Sequence, residues 1–202
     1  WVVLSTIILG VIAIIISFFS RTGNLVHIIA RIWARSILIF SRVHVSVKGL
    51  SHIEPDKSYI YMANHQSNAD IPLLLGRLPV QFRWLAKAEL FKIPLFGRAM
   101  AGVGYISIDR SNRKSAFASL ARAAETIRNG TSVLIFPEGT RYPGGHLGPF
   151  KEGAFRMALE NKADIIPVVL DGTARALPKR GAILTGFSRI KVHVLTDISY
   201  QT

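Results

Sequence analysis

The sequence predicts an α/β fold: a mixed, largely parallel sheet flanked by helices and preceded by an N-terminal pair of membrane-binding helices. Three observations predict it. Short apolar runs of strand length at 58–63, 131–136 and 164–170 are separated by segments long enough for helices, and strands interleaved with helices fit a largely parallel sheet. Polar clusters rich in Asn, His, Asp, Glu, Gly and Arg follow those runs, at the strand ends where α/β proteins place their sites. The first 20 residues carry no charge.

A chain of 202 residues accommodates one domain with a real core plus a short additional segment. Residues 1–42 are therefore read as membrane-anchoring helices and residues 43–202 as the α/β domain. Hydrophobic residues make up 50% of the chain, high for a purely soluble α/β domain and indicative of lipid contact. The net charge of +13 calls for an anionic partner, and nucleic acid, an acidic carrier protein, phosphorylated metabolites and anionic lipid all satisfy it. With no cysteine, disulfides, thiol nucleophiles and thiolate metal sites are excluded. The chain opens on Trp1, so a short leader is expected ahead of it.

Taken in order, residues 1–20 are apolar enough to cross a hydrocarbon core of about 30 Å as one helix. They lack the basic start and small-residue cleavage pattern of a signal peptide. The following stretch to Arg42 carries His27, Arg31 and Arg35 every four residues, with Leu25, Ile28, Ile29, Ile32, Trp33 and Ile39 on its other faces. It reads as an amphipathic interfacial helix. Arg21, Arg31, Arg35, Arg42 and Lys48 form a basic collar with no acid before Glu54. The positive-inside rule places that collar, and the domain after it, on the cytoplasmic side of an inner membrane, with anionic lipid as partner. A true span and a hairpin dipping into one leaflet fit the hydropathy equally. Strands are expected at 43–47, 58–63, 82–86, 104–108, 131–136, 164–170 and 189–195, and helices at 113–129, ended by Gly130, and 153–162.

Three clusters carry chemistry. Asn64 through Asp70 follows the strand at 58–63 and leads into an apolar helix. If His65 lies on the loop and Asp70 starts the helix, the carboxylate can fix the imidazole tautomer and make His65 a general base; a helix cap beside a surface histidine is the plainer reading. Phe136 through Arg141 follows the strand at 131–136, and its continuation holds Pro143, Gly144, Gly145, His146 and Gly148, which lets backbone amides approach an anion. A simple turn also fits that segment. Ile108 through Ser111 offers Arg110 and a helix start to an anion, or simply a cap at Ser111.

Together the clusters resemble the glycerolipid acyltransferase family, above all its bacterial 1-acylglycerol-3-phosphate members, over residues 59–172. Asn64-His65 through Asp70 matches the His-x4-Asp motif, and Lys87 through Leu90 with Pro94 and Gly97 matches the segment after it. Gly104 through Arg110, Phe136 through Arg141 and Ile166-Pro167-Val168 match the later blocks. Glu152 departs, standing where the resemblance implies a second basic residue after Lys151. The resemblance implies His65 as base, Asp70 as its partner, and Arg110, Glu138, Gly139, Thr140, Arg141 and Lys87 around the glycerol phosphate. It implies transfer of an acyl group from acyl-coenzyme A or acyl carrier protein to the hydroxyl of lysophosphatidate, with glycerol 3-phosphate or another lysolipid as alternative acceptor and no cofactor.

The chain has neither a cysteine nor a Gly-x-Ser-x-Gly elbow, so direct transfer without an acyl-enzyme is expected. A hydrolase using the same histidine on water, and a non-catalytic membrane scaffold, are the competing readings. Nucleic acid is not expected as a partner, because no recognisable binding module is present. The six histidines show no metal-ligand spacing, so no metal site is expected.

Overall fold

The computed structural model describes residues 1–109, 111–142, 146–178 and 188–201. Arg110 and Pro143 through Gly145, singled out above, lie outside the described residues. Two helices come first, α1 (Val2–Ser17) and α2 (Asn24–Phe40). The sheet then begins with β1 (His44–Lys48) and β2 (Ile60–Ala63), followed by α3 (Asp70–Arg77), β3 (Phe82–Lys87), α4 (Phe96–Val103) and β4 (Ile106–Ile108). Helix α5 (Arg113–Arg128), β5 (Ser132–Ile135), α6 (Glu152–Glu160), β6 (Ile165–Asp171), the short α7 (Thr173–Ala176) and β7 (Arg189–Val194) complete it.

The seven strands form one sheet in the order β1-β7-β6-β2-β5-β3-β4. Every neighbouring pair is parallel except β6 and β7, so the expected mixed, largely parallel α/β sheet is what forms. The central strands alternate between two cores, as the period of two demands. On β2, Ile60 and Met62 join Val133, Ile135, Leu85 and Ile106 against α5 and α6. Tyr61 and Ala63 join Leu134, Phe136, Ile190 and Val192 on the opposite side, against α2, α3 and α4. Burial on both faces explains why 58–63 and 131–136 read as continuous apolar runs rather than alternating ones. Helix α5 starts at the Asn112 cap, whose side chain accepts from Ser115 N at 3.1 Å. Ser111 instead donates to Asp109 through both its amide and its hydroxyl.

Two expectations about the N-terminal helices are corrected. Helix α1 stops at Ser17, so its 16 residues span only about 24 Å at 1.5 Å per residue. No helix of the described residues is long and apolar enough to cross a membrane. The second correction concerns orientation. The His27–Arg31–Arg35 stripe is engaged by the α/β domain instead of being free on an outer face: His27 is fully buried, Arg31 is half-buried with its Nε buried, and Arg35, though exposed, donates through Nε to the Gly76 carbonyl of α3 at 3.1 Å. What α2 leaves outside is Leu25, Ile28, Ile32, Ile39 and Phe40, beside Val3, Ile7, Ile15, Phe18 and Phe19 of the α1 segment. The helix pair thus presents a broad apolar face outward while Ala13 of α1 and Val26, Ala34 and Leu38 of α2 join the core on the facing side of the sheet.

The turn between α1 and α2 is pinned to the sheet. Arg83 of β3 is buried, and its Nη2 donates to Thr22 O at 2.7 Å and Asn24 Oδ1 at 2.6 Å. Gly23 has φ +71°, and a Cβ there would lie 2.3 Å from Val103 O, so no other residue fits this close approach.

Candidate active site

Strands β2, β5, β3 and β4 run parallel in that order, so their C-terminal ends open on one edge. The topology brings the three polar clusters to that edge: His65 follows β2, Phe136 through Arg141 follow β5, and Asp109 follows β4, with Lys87 closing β3. At about 4.8 Å per strand, the β2 and β5 loops are immediate neighbours.

The loop after β2 is built by short polar side chains acting on backbone. Asn64 donates through Nδ2 to Leu170 O at 3.0 Å and accepts at Oδ1 from Leu170 N at 2.7 Å, adding one side-chain rung to the β2–β6 ladder just where the chain leaves the sheet. Ser67 Oγ accepts from Ala69 N and donates to Leu177 O. Asp70 then opens α3 and is fully buried. Its Oδ2 accepts from Gln66 N at 2.8 Å, from Ser67 N at 2.9 Å and from His65 Nδ1 at 2.7 Å. The helix N-terminus and two amides suit a charged carboxylate there. A carboxylate accepting from Nδ1 fixes the imidazole tautomer and leaves Nε2 with the lone pair. Among the described residues Nε2 makes no hydrogen bond.

The β5 turn clamps His65 from the other side. Glu138 is buried; its Oε1 accepts from His65 N at 2.7 Å and its Oε2 from Gly148 N at 2.8 Å. Tyr142 N donates to His65 O at 2.9 Å. Phe136 stacks on the imidazole, centroids 4.0 Å apart and planes 17° apart. Glu138 therefore faces loop backbone, and its structural work is to hold the histidine in place. Gly139, at φ +70°, lets the Lys151 side chain lie across it: a Cβ there would be 2.9 Å from Lys151 Cε and 3.1 Å from Nζ. Thr140 is exposed and Arg141 half-buried on the same turn. Lys87 is exposed and paired with Glu89 at 3.0 Å. Lys87, Arg141 and Lys151 thus stand at the same strand edge as an imidazole oriented by a carboxylate, an arrangement that suits proton abstraction from a substrate carrying an anionic group. No cluster of described residues has the makings of a metal site.

The structure brings together His65, Asp70 and the β5 turn, which the sequence had singled out, and adds contacts of Asn64, Phe136 and Gly148 that the sequence reading did not assign. Their signal lies in pairing: only when β2 sits between β5 and β6 do Phe136 and Leu170 come to flank the loop.

Residues 44–171 match the family model described as Acyltransferase. The chain belongs to the acyltransferase family. The match runs from β1 to the end of β6 and contains both halves of the clamp. Among acyltransferases with known names, the chain is 36% identical over 170 residues to the chloroplastic 1-acyl-sn-glycerol-3-phosphate acyltransferase BAT2 of Brassica napus, covering 83% of this chain and 49% of that one. It is 33% identical over 176 residues to the 1-acyl-sn-glycerol-3-phosphate acyltransferase of Borreliella burgdorferi, covering 87% and 70% respectively. The chain spans about half the length of the plant relatives it matches. The solved structure of the 1-acyl-sn-glycerophosphate (LPA) acyltransferase PlsC from Thermotoga maritima superposes with a TM-score of 0.78 at 26% identity, over 95% of this chain and 78% of that one. Coverage of that extent carries the similarity of fold beyond the family match and into the N-terminal helices.

Proposed function

We propose that the chain transfers a fatty acyl group from an acyl thioester to the sn-2 hydroxyl of lysophosphatidate, giving phosphatidate for phospholipid synthesis. The observation that carries this reading is the 2.7 Å contact between His65 Nδ1 and a buried Asp70 whose same oxygen is fixed by two amides. His65 Nε2 takes the acceptor's hydroxyl proton as the oxygen attacks the thioester carbonyl. Asp70 stabilises the imidazolium, and general-base assistance of this kind contributes about 10²–10⁴-fold. The tetrahedral intermediate collapses, the C–S bond breaks, and the departing thiolate takes the proton from His65. Chemistry of this form draws on no cofactor or metal. Arg141, Lys151 and Lys87 hold the phosphate, with Arg110, next after Asp109 in the sequence, as a further contact, while Gly139 and Thr140 shape the turn. The names of the relatives support lysophosphatidate as the acceptor.

The outward apolar side chains of α1 and α2 enter the bilayer and put the catalytic edge within reach of a lipid acceptor. Arg21 and Arg42, exposed at the two ends of α2, meet anionic headgroups on the cytoplasmic face of an inner membrane. The test is acyl transfer by protein purified in detergent, with lysophosphatidate or glycerol 3-phosphate as acceptor and acyl-coenzyme A or acyl carrier protein as donor, beside His65→Ala. Phosphatidate formation that vanishes in the variant supports the reading. Equal product from the variant, or none from any pair, sinks it.

A further inference from the structure

Helices α5 and α6 cover one face of the sheet over β2, β5, β3 and β4 and reach Ile165 at the start of β6, but among the described residues no helix covers the same face of β7, β1 and the rest of β6. The register places side chains there in rows: His44 beside Arg189, Ser46 beside Lys191, and Lys48 beside His193, with Asp171 beside Lys191 and Val169 beside His193. His44, Lys48, Arg189, Lys191, Val169 and Asp171 are exposed, while the alternate residues Ile190, Val192 and Val194 are buried on the other face. Within these described rows the acid is Asp171, which pairs with Arg175 at 3.5 Å, and Lys48, Arg189 and Lys191 give the rows an excess of positive charge. The strip borders an apolar groove lined by Pro167, Val169, Leu147 and Phe150.

Two geometrical facts select the occupant. Ile190, Val192 and Val194 share their core with α2, so the basic face lies on the side of the sheet opposite the helices whose apolar surfaces point outward. A bilayer holding those helices cannot also lie on this face. The strip also starts at the active edge: β7 is antiparallel to β6, which brings Arg189 to the C-terminal end of β6, two strands and about 10 Å from β2. A macromolecule docked there is water-borne, acidic, and within reach of His65.

We propose that this uncovered half-face of β6, β7 and β1 is the docking surface for an acidic acyl carrier protein, with Lys48, Arg189 and Lys191 meeting its carboxylates and the Pro167–Phe150 groove its apolar residues. The proposal rests on the acyltransferase reading and adds which thioester the surface selects. Surface charges of this kind act chiefly on encounter and weaken with ionic strength.

The test compares the full chain with the Arg189→Glu/Lys191→Glu double variant in detergent, supplying lysophosphatidate with either palmitoyl-acyl carrier protein or palmitoyl-coenzyme A. Reversing two rim charges is expected to lower kcat/KM for the carrier donor about tenfold or more, and for palmitoyl-coenzyme A by less than about twofold. Arg128→Glu, exposed on α5 at the opposite strand edge, is expected to change neither. Binding to phosphatidylglycerol vesicles is expected to survive the double substitution. Equal losses with both donors, an unchanged carrier reaction, use of palmitoyl-coenzyme A alone by the unsubstituted chain, or loss of vesicle binding instead would each overturn the docking surface while leaving the acyltransferase reading in place. No transfer from either donor to any acceptor would remove both.

Discussion

Two histidines of this chain lie in opposite electrostatic settings. His65 sits at a strand edge, joined to a carboxylate at 2.7 Å and stacked on Phe136. His27 sits inside the seam between α2 and the sheet, edge-on to Phe82 and 3.4 Å from Tyr105 Oη. Burial, and then the nearby guanidinium groups of Arg83 and Arg31, depress its pKa to about 3. One imidazole is oriented by a carboxylate on Nδ1; the other is held neutral down to about pH 3. The lesson is that a buried histidine gains chemistry from the partner on its second nitrogen, not from burial itself.

The largest expected effect separates the two at once. His65→Ala should lower kcat by about 10²–10⁴-fold, the usual worth of a general base, with thermal stability nearly unchanged; His27→Leu should leave kcat within about twofold. Steady-state assay of both variants beside their melting curves breaks the comparison if His27 proves the costlier loss of activity. Asp70→Asn comes next. An amide at that position cannot accept three hydrogen bonds on one oxygen as well as a carboxylate does, and kcat should fall about 100-fold in steady-state assay. Lost thermal stability with kcat unchanged would show Asp70 to be only a helix cap.

Glu138→Gln tests whether the clamp is mechanical. The new amide nitrogen must face one of two backbone donors, His65 N or Gly148 N, and leaving a buried donor unpaired costs about 1–3 kcal/mol. Denaturant unfolding should show that loss together with reduced kcat and little change in KM for lysophosphatidate; a pure KM effect would instead make Glu138 a substrate contact. The smallest effect is in pH dependence. An unfolded His27 titrates near 6.5, whereas the folded one does so near 3. Between those values the unfolded chain binds the extra proton, so stability is full above about 6.5 and falls toward pH 3 by up to roughly 1.4 kcal/mol per unit. His27→Leu should flatten that part of the stability curve, measured as unfolding midpoints from pH 7 to 4.

Much of this was legible in the sequence because local pattern and tertiary role agree at the catalytic edge. Short apolar runs became buried parallel strands, and His65 and Asp70, five positions apart, met through a loop and a helix start, as the polar composition of the segment between them suggested. The failures share a cause. The spacing of His27, Arg31 and Arg35 marks a face of α2 correctly but does not say whether that face meets headgroups or protein. Only α3 packing against it decides, through Gly76 and Leu38. Insertion of β7 between β1 and β6, antiparallel to β6, leaves no local mark either, since strand pairing across more than a hundred residues is a property of the closed sheet. The same holds for Phe136 and Gly148, which take their roles from neighbours 71 or 10 positions away.

The Glu138 clamp ties readiness to assembly. His65 is held by a segment 73 positions later in the chain, so its orientation exists only once β5 has paired beside β2. A nascent chain or a molecule frayed at that strand keeps every chemical group of the loop yet leaves the imidazole without the backbone support that orients it.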